Sequence, residues 1–259
     1  MTKRSSWSIP YLVFLTVFVV LPLILVVVYA FQDSYGHFTL ANITKFFSDS
    51  DAMGTFALSM EVAIENTLIC ILLGYPAAWI LANRNLNRSA VTVVLFILPM
   101  WINALMRTLA TAELFNMLGI SLGKGTLLFG MAYDYLPFMI YPIYNVLNKM
   151  DKSYAEAAQD LGANSFHVFW RVLLPLSIPG IITAVTMVFV PSVSTFIISR
   201  MLGGGQNMLI GDLIEQQFLG SVYNPNVGSA MSLILMIVIL LIMGIINHFD
   251  DEEMEGMLV

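Results

Sequence analysis

Six apolar runs, each close to the length that crosses a bilayer as a helix, constrain this chain more than any other feature. They extend over about 9–31, 58–81, 91–109, 127–147, 178–198 and 229–246. A spanning helix takes roughly 20 residues, a spanning strand only about 9–11. Backbone groups cannot go unpaired in lipid, so all six are predicted to be helices. Composition points the same way. The chain is 58% hydrophobic and 11% charged, against roughly 25% charged in soluble domains. That is too little polar surface for a soluble fold and the reverse of a disordered one. Eleven Lys and Arg face 17 Asp and Glu, which excludes the basic surplus of a nucleic-acid binder. The expected fold class is all-α: a polytopic membrane protein, one transmembrane domain over 1–259.

The first run is too long for a signal peptide, whose apolar core is about 7–15 residues, although Lys3 and Arg4 precede it. Loop charge sets the orientation. With both termini inside, the inner segments hold Lys3, Arg4, Arg84, Arg88, Lys149, Lys152 and Arg171, and the outer ones Lys45, Arg107, Lys124 and Arg200. Seven bases against four favour cytoplasmic termini, with Arg107 and Arg200 able to snorkel from helix ends. The outer stretches are then 32–57, 110–126 and 199–228. The inner ones are a short link at 83–89 and a longer loop at 148–177. An acidic tail, 247–259, carries five of the 17 acids. Without it 12 acids face 11 bases, so the net charge of −6 is mostly tail.

Catalytic chemistry has little to stand on. Cys70 has no partner for a disulfide, and His37, His167 and His248 are scattered, so no metal or nucleophile constellation is expected. The run Leu122-Gly123-Lys124-Gly125-Thr126 lacks the spacing of a phosphate loop and reads as a turn, as does Gly203-Gly204-Gly205. Neither repeats nor a midplane charge point to a secondary transporter.

The inner loop has the clearest local pattern. Ser153 with Glu156 fits a capping box at a helix start, and Tyr154 to Leu161 supplies about two alanine-rich turns. Gly162 stops that helix, and Asn164 or Ser165 caps a second. Phe166, Phe169, Trp170 and Leu173 recur at helical spacing, predicting an amphipathic helix at the inner membrane surface. Pro175 and Pro179 lead into the fifth span. Two short helices about a glycine turn make a rigid knob suited to docking, with small Ala157 and Ala158 for close approach. An ordinary interfacial hairpin would share this pattern.

Glu156-Ala157-Ala158, three residues, Gly162, nine residues, Val172, one residue, Leu174-Pro175 resembles the EAA loop of ABC-importer permeases, with Val172 where isoleucine is usual. The runs GYPAAWILA (74–82), LPMWINALMRT (98–108), YLPFMIYPIYN (135–145) and MLGGGQNMLIGDLIEQQFL (201–219) resemble the spermidine/putrescine permeases. Sulfate, ferric iron and thiamine permeases share parts of these. The resemblance implies a type I ABC importer (MetI-like) permease fold in the bacterial inner membrane. It implies no catalysis in this chain, with ATP and Mg bound by a separate dimer of ATPase subunits. It also implies a second, homologous permease and an extracytoplasmic substrate-binding protein. Glu156, Ala157, Ala158 and Gly162 would form the ATPase-docking tip, and Leu174 and Pro175 its return to the membrane.

For the cargo, the outward acids are the first candidates. Asp33, Asp49, Asp51, Glu61, Glu65, Glu113, Asp134, Asp212 and Glu215 oppose four outer bases, a bias that attracts a polycation. Glu65, Asp134, Asp212 and Glu215 are expected path residues, and Trp101, Tyr135 and Phe138 could offer ring faces to an ammonium. The run 207–219 is expected to pack at the outer face, meet the binding protein or line the path.

Overall fold

The structure is a computed structural model and describes residues 9–83, 86, 87, 89–151, 153–220 and 223–256. Lys3, Arg4, Arg84, Arg88 and Lys152, five of the seven bases that set the predicted orientation, lie outside the described residues, as do the last three residues of the acidic tail.

Helix α1 (Pro10–Ala30) is continuous, with one π turn at Thr16–Val20. Most of it is exposed, and its C-terminal part packs on the last helix, where Val26 and the buried Ala30 meet Ala230 and Leu233. A short helix α2 (Ala41–Ser48) follows. Helix α3 (Ser50–Ala82) then runs for 33 residues, about 50 Å at 1.5 Å per residue. It starts well before the predicted span because Asp49 caps it: its Oδ1 accepts from the backbone N–H groups of Asp51 at 3.0 Å and Ala52 at 3.2 Å. The helix is longer than the hydrocarbon core is thick, which leaves its outer turns free to carry Glu61 and Glu65.

The third predicted span, 91–109, is not one rod. Helix α4 (Ala90–Ile97) tightens into a 3-10 turn at Leu98–Trp101, and the chain bends by 92° before α5 (Ala104–Met117). Pro99 disrupts the first helix. Asn103 restarts the second, its Oδ1 accepting from Leu105 N at 2.9 Å and Met106 N at 3.4 Å. Helix α6 (Lys124–Lys149) is 26 residues long, about 39 Å, and packs against α3 and against α9 (Ile178–Ser194). It is long enough to cross but less apolar than α1 and α3, because the bundle rather than lipid covers much of it.

Helix α7 (Ser153–Asp160) and α8 (Ser165–Leu176) precede α9, and α8 meets α9 at 65°. Helix α9 ends at Ser194 rather than Ile198, with α10 (Ile197–Leu202) beyond the break. Helix α11 (Ile210–Leu219) buries Ile210, Gly211 and Asp212 and packs on α3, α9 and the last helix. That helix, α12 (Pro225–Gly256), does not stop near Ile246, so the acidic tail up to Gly256 continues it. Among the described residues, three helices are long and apolar enough to cross a membrane, and up to five if each bent pair counts as one span. Helix α6, the fourth predicted span, is long enough to cross but falls short of them in apolarity.

Besides the contact at Ala30, three apolar clusters among the described residues join these elements. One lies between α3, α6 and α9, around Tyr75, Met139, Ile143 and Val188. A second links α3, α9, α11 and α12 around Ala63, Phe189, Ile210 and Met231. A third ties α5, α6 and α10 together through Phe115, Met131 and Leu202.

Candidate coupling site and outer acids

The inner loop folds into the knob its sequence describes, with one difference at its start. Ser153 is already inside α7, so it is not the cap. Asp151 precedes it, and its Oδ1 accepts from Ser153 N at 3.0 Å. That donor, followed by the Ser153 hydroxyl, holds the Asp151 carboxyl below the usual range. Glu156 then stands in the first turn, where the helix dipole favours a negative charge.

Helix α7 ends in a Schellman motif. Gly162 has φ +87° and its N–H donates to Gln159 O at 2.8 Å, while Ala163 N donates to Ala158 O at 3.0 Å. An L side chain at this φ is disfavoured by about 1–2 kcal/mol. Asn164 caps α8, its Oδ1 accepting from His167 N at 2.9 Å. Glu156 and Ala157 are exposed, Ala158 half-buried, and Leu174 and Pro175 half-buried where the loop returns to the bundle. Neither Glu156 nor Asp160 forms an ion pair among the described residues. Leu161, 90% exposed at the tip, is a residue the sequence reading passed over. It borders a shallow hollow of about 450 Å³ with Gly162, Asn164, His167 and Arg171. A large apolar side chain directly before the helix-stopping glycine was the available signal. Phe166 and Trp170 are exposed, while Phe169 and Leu173 are half-buried, so within this chain the four do not share one buried face: two pack toward the bundle and two stand open.

The outer acids differ from expectation, because most of those singled out already hold a base of this chain. Arg107 does not snorkel. It is buried, its Nη2 lies 3.2 Å from Asp134 Oδ1, and its guanidinium sits over the Tyr133 ring at 5.6 Å. Thr108 Oγ1 donates to Asp134 Oδ2 at 3.1 Å. Lys124 Nζ donates to Glu61 at 2.6 Å and Glu65 at 2.9 Å. Arg200 grips Glu215 with both terminal nitrogens, Nη1 at 3.1 Å and Nη2 closer still. This holds the Glu215 carboxyl below its ordinary range. Asp212 is buried beneath, accepting from Ser199 Oγ at 2.6 Å and Leu209 N at 2.9 Å.

Five of the nine outward acids are thus matched to three of the four outer bases. The remaining four behave as rim residues. Asp33 accepts from Tyr35 N and His37 N, and Asp49 caps α3, while Asp51 and Glu113 form no ion pair among the described residues. The three aromatic candidates do not form one cage. Trp101 stands at the bend, 88% exposed, whereas Tyr135 and Phe138 pack into the bundle and the Tyr135 hydroxyl donates to Pro191 O at 3.4 Å. Glu215 also borders a groove of about 500 Å³ between α9, α11 and α12, lined by Ser194, Ile214, Ser232 and Met236. The run after Leu122 opens α6: Gly123 N donates to Thr126 Oγ1 at 2.8 Å, and that hydroxyl also lies 2.8 Å from Leu202 O.

The chain is thus a bent helical bundle with a two-helix knob leading into α9. The chain matches, over residues 66–252, the family described as the binding-protein-dependent transport system inner membrane component, and it belongs to that family. It is therefore a multi-pass inner-membrane permease. Among its relatives is the spermidine/putrescine transport system permease protein PotB of Escherichia coli (strain K12), 35% identical over 218 residues, 78% of each chain. PotB of Haemophilus influenzae (strain ATCC 51907 / DSM 11121 / KW20 / Rd) is 33% identical over 248 residues, 87% of this chain and 86% of that one. The fold is shared with a bacterial ABC transporter involved in the import of the acidic polysaccharide alginate. That match has a TM-score of 0.76 and 16% identity, and it covers 96% of this chain and 99% of that one. It is shared also with the MetNI methionine ABC transporter in an inward-facing conformation, with a TM-score of 0.63 and 17% identity over 78% of this chain and 95% of that one.

Proposed function

We propose that this permease carries polyamines, spermidine or putrescine, inward across the bacterial cytoplasmic membrane, with both of its termini in the cytoplasm. The observation that carries the cargo assignment is its likeness, at 33–35% identity over most of both chains, to permeases named for spermidine and putrescine. The outward surplus of acids supports it. After internal pairing, the Lys124 and Arg200 clusters each retain one negative charge, and Asp33, Asp49, Asp51 and Glu113 remain on the rim. Such a field raises the local concentration of a polycation.

In this reading the chain works with a second, homologous permease, because one bundle supplies only one wall of a path. Two ATPase subunits bind ATP and Mg and dock at Glu156, Ala157, Ala158 and Gly162. An external binding protein delivers the cargo to the outer face. ATP-driven closure of the ATPases moves the two knobs and shifts the bundles between inward-open and outward-open states, and the nucleotide acts through its differential affinity for those states. Glu65, Asp134, Asp212 and Glu215, with Trp101, Tyr135 and Phe138, remain the candidate path residues. Of these, Glu215 borders an open groove.

The test is a thermal-shift panel on the binding protein that this reading expects to be encoded beside this chain, followed by uptake into proteoliposomes holding the full importer. Spermidine or putrescine should raise the binding protein's melting temperature and be taken up with ATP. Stabilisation by sulfate, ferric iron or thiamine, without stabilisation by polyamines, would overturn the cargo assignment.

A further inference from the structure

We infer that Tyr75, Phe169 and Ser177 form the pivot through which movement of the knob enters the transmembrane bundle. The inference rests on the reading of α7 and α8 as the ATPase-docking element and adds the residues that receive its motion.

Ser177 is the single residue between α8 and α9, where the chain turns by 65°. It is fully buried. Its hydroxyl donates to Leu174 O at 2.8 Å, which uses its one proton. The Tyr75 hydroxyl, 2.9 Å away on α3, must then be the donor to Ser177 Oγ. So the joint of the knob is hydrogen-bonded to a helix 102 residues distant in sequence. The same tyrosine is held from the knob side. The Phe169 ring meets the Tyr75 ring edge-on, with centroids 5.6 Å apart and planes at 90°. Phe169 begins a π turn, Phe169–Leu173, a local irregularity that re-aims side chains within a helix.

The helices on either side of the pivot are in close contact with α6. Beside Tyr75, Gly74 lies so near α6 that a Cβ there would come 2.7 Å from Met139 Cγ. On α9, a Cβ on Gly180 would come 2.9 Å from Val146 Cγ2 and 3.3 Å from Pro142 O. Close-packed helices do not absorb displacement by compressing. If α8 rotates at Ser177, either the Tyr75–Ser177 bond breaks or α3 follows, with α6 against it. Tyr75 and Ser177 are positioning residues on this account, since neither touches nucleotide or cargo.

The test uses the complete importer, both permeases with ATPases and binding protein, in proteoliposomes. ATP hydrolysis and uptake of labelled spermidine are measured together; another solute replaces spermidine if it is the one that stabilises the binding protein. Tyr75→Phe keeps the ring contact and removes only the hydroxyl. It should leave the ATPases co-purifying and hydrolysing ATP while uptake per ATP falls several-fold. Ser177→Ala should do the same, the double variant should be no worse than either single, and Ser177→Thr should restore the ratio. Unchanged uptake per ATP in Tyr75→Phe and Ser177→Ala would overturn the pivot, whatever happened to melting temperature or yield. Failure of the docking reading has a different signature: ATPases that still co-purify normally with a Glu156→Lys permease.

Discussion

The two ends of this molecule treat their charges in opposite ways. At the end that the proposed orientation places in the cytoplasm, Glu156 and Asp160 stand exposed on α7 with no ion pair among the described residues, and Leu161 projects bare at the tip. At the opposite end, five of the nine acids singled out by sequence are held by Arg107, Lys124 and Arg200. A charged surface left unmatched within the chain is available to a partner. One matched within the chain holds helices together, and only its residual charge acts on a ligand. On the proposed function, the same residue types would serve docking at one end, while at the other most of them hold the architecture together.

The contrast is broken most directly at Gly162. Gly162→Pro cannot adopt φ +87° and removes the N–H that donates to Gln159 O. It should abolish uptake and strip the ATPases from the purified complex, while the permease still inserts in the membrane. Glu156→Lys should weaken the same association without disturbing the helix. Normal uptake and normal co-purification in both would remove the docking role of the knob.

The second largest effect is expected at the buried pair. Arg107→Ala leaves Asp134 without its cation in a site that is nearly closed to solvent. Breaking one partner of a buried pair costs about 3–5 kcal/mol, so the variant should melt early in detergent. Arg107→Leu combined with Asp134→Leu should recover most of that loss, because an apolar pair of this kind has no stranded charge. If uptake by the stable double variant matches the parent, Asp134 is architectural and leaves the set of path residues. A double variant that is stable but inactive would keep Asp134 among them.

The knob was readable in advance because its determinants are local. Asn164 and Gly162 act within a few residues of themselves, and each does in the structure what its residue type suggests. Even there, the cap was displaced from Ser153 to Asp151, since a serine and an aspartate two residues apart can serve the same helix start. The outer end was not readable, because its pairings are set by tertiary packing. Lys124 meets Glu61 across 63 residues, and Arg107 meets Asp134 across 27. The bend at Trp101–Asn103 lay hidden for a different reason. An asparagine in an apolar run hardly lowers its mean hydropathy, yet its side chain suffices to cap a new helix.

A smaller effect is expected at Leu161. Being 90% exposed, it contributes little to the permease's own fold, so Leu161→Ser should leave the melting temperature unchanged. If the tip seats in an apolar recess of the ATPase, its affinity should fall, by about tenfold for each 1.4 kcal/mol of burial lost. Titrating purified ATPase onto the permease measures this. Equal binding by the two forms would confine docking to the Glu156 face of α7.

The smallest effect on stability is expected at Lys124, and it sharpens the comparison most finely. The lysine joins α6 to α3 through two carboxylates at the exposed outer end, where ion pairs are screened and contribute little. Lys124→Gln should therefore melt with the parent. It also unmasks a positive charge's worth of acid on the outer face, since Glu61 and Glu65 then stand unmatched. If that face gathers a cationic cargo, the variant should take up spermidine with a lower KM at low ionic strength, and the difference should shrink as salt is added. A KM that stays equal to the parent's at every salt concentration would show that the acid surplus plays no part in gathering cargo, leaving Glu61, Glu65 and Lys124 as a helix clamp alone.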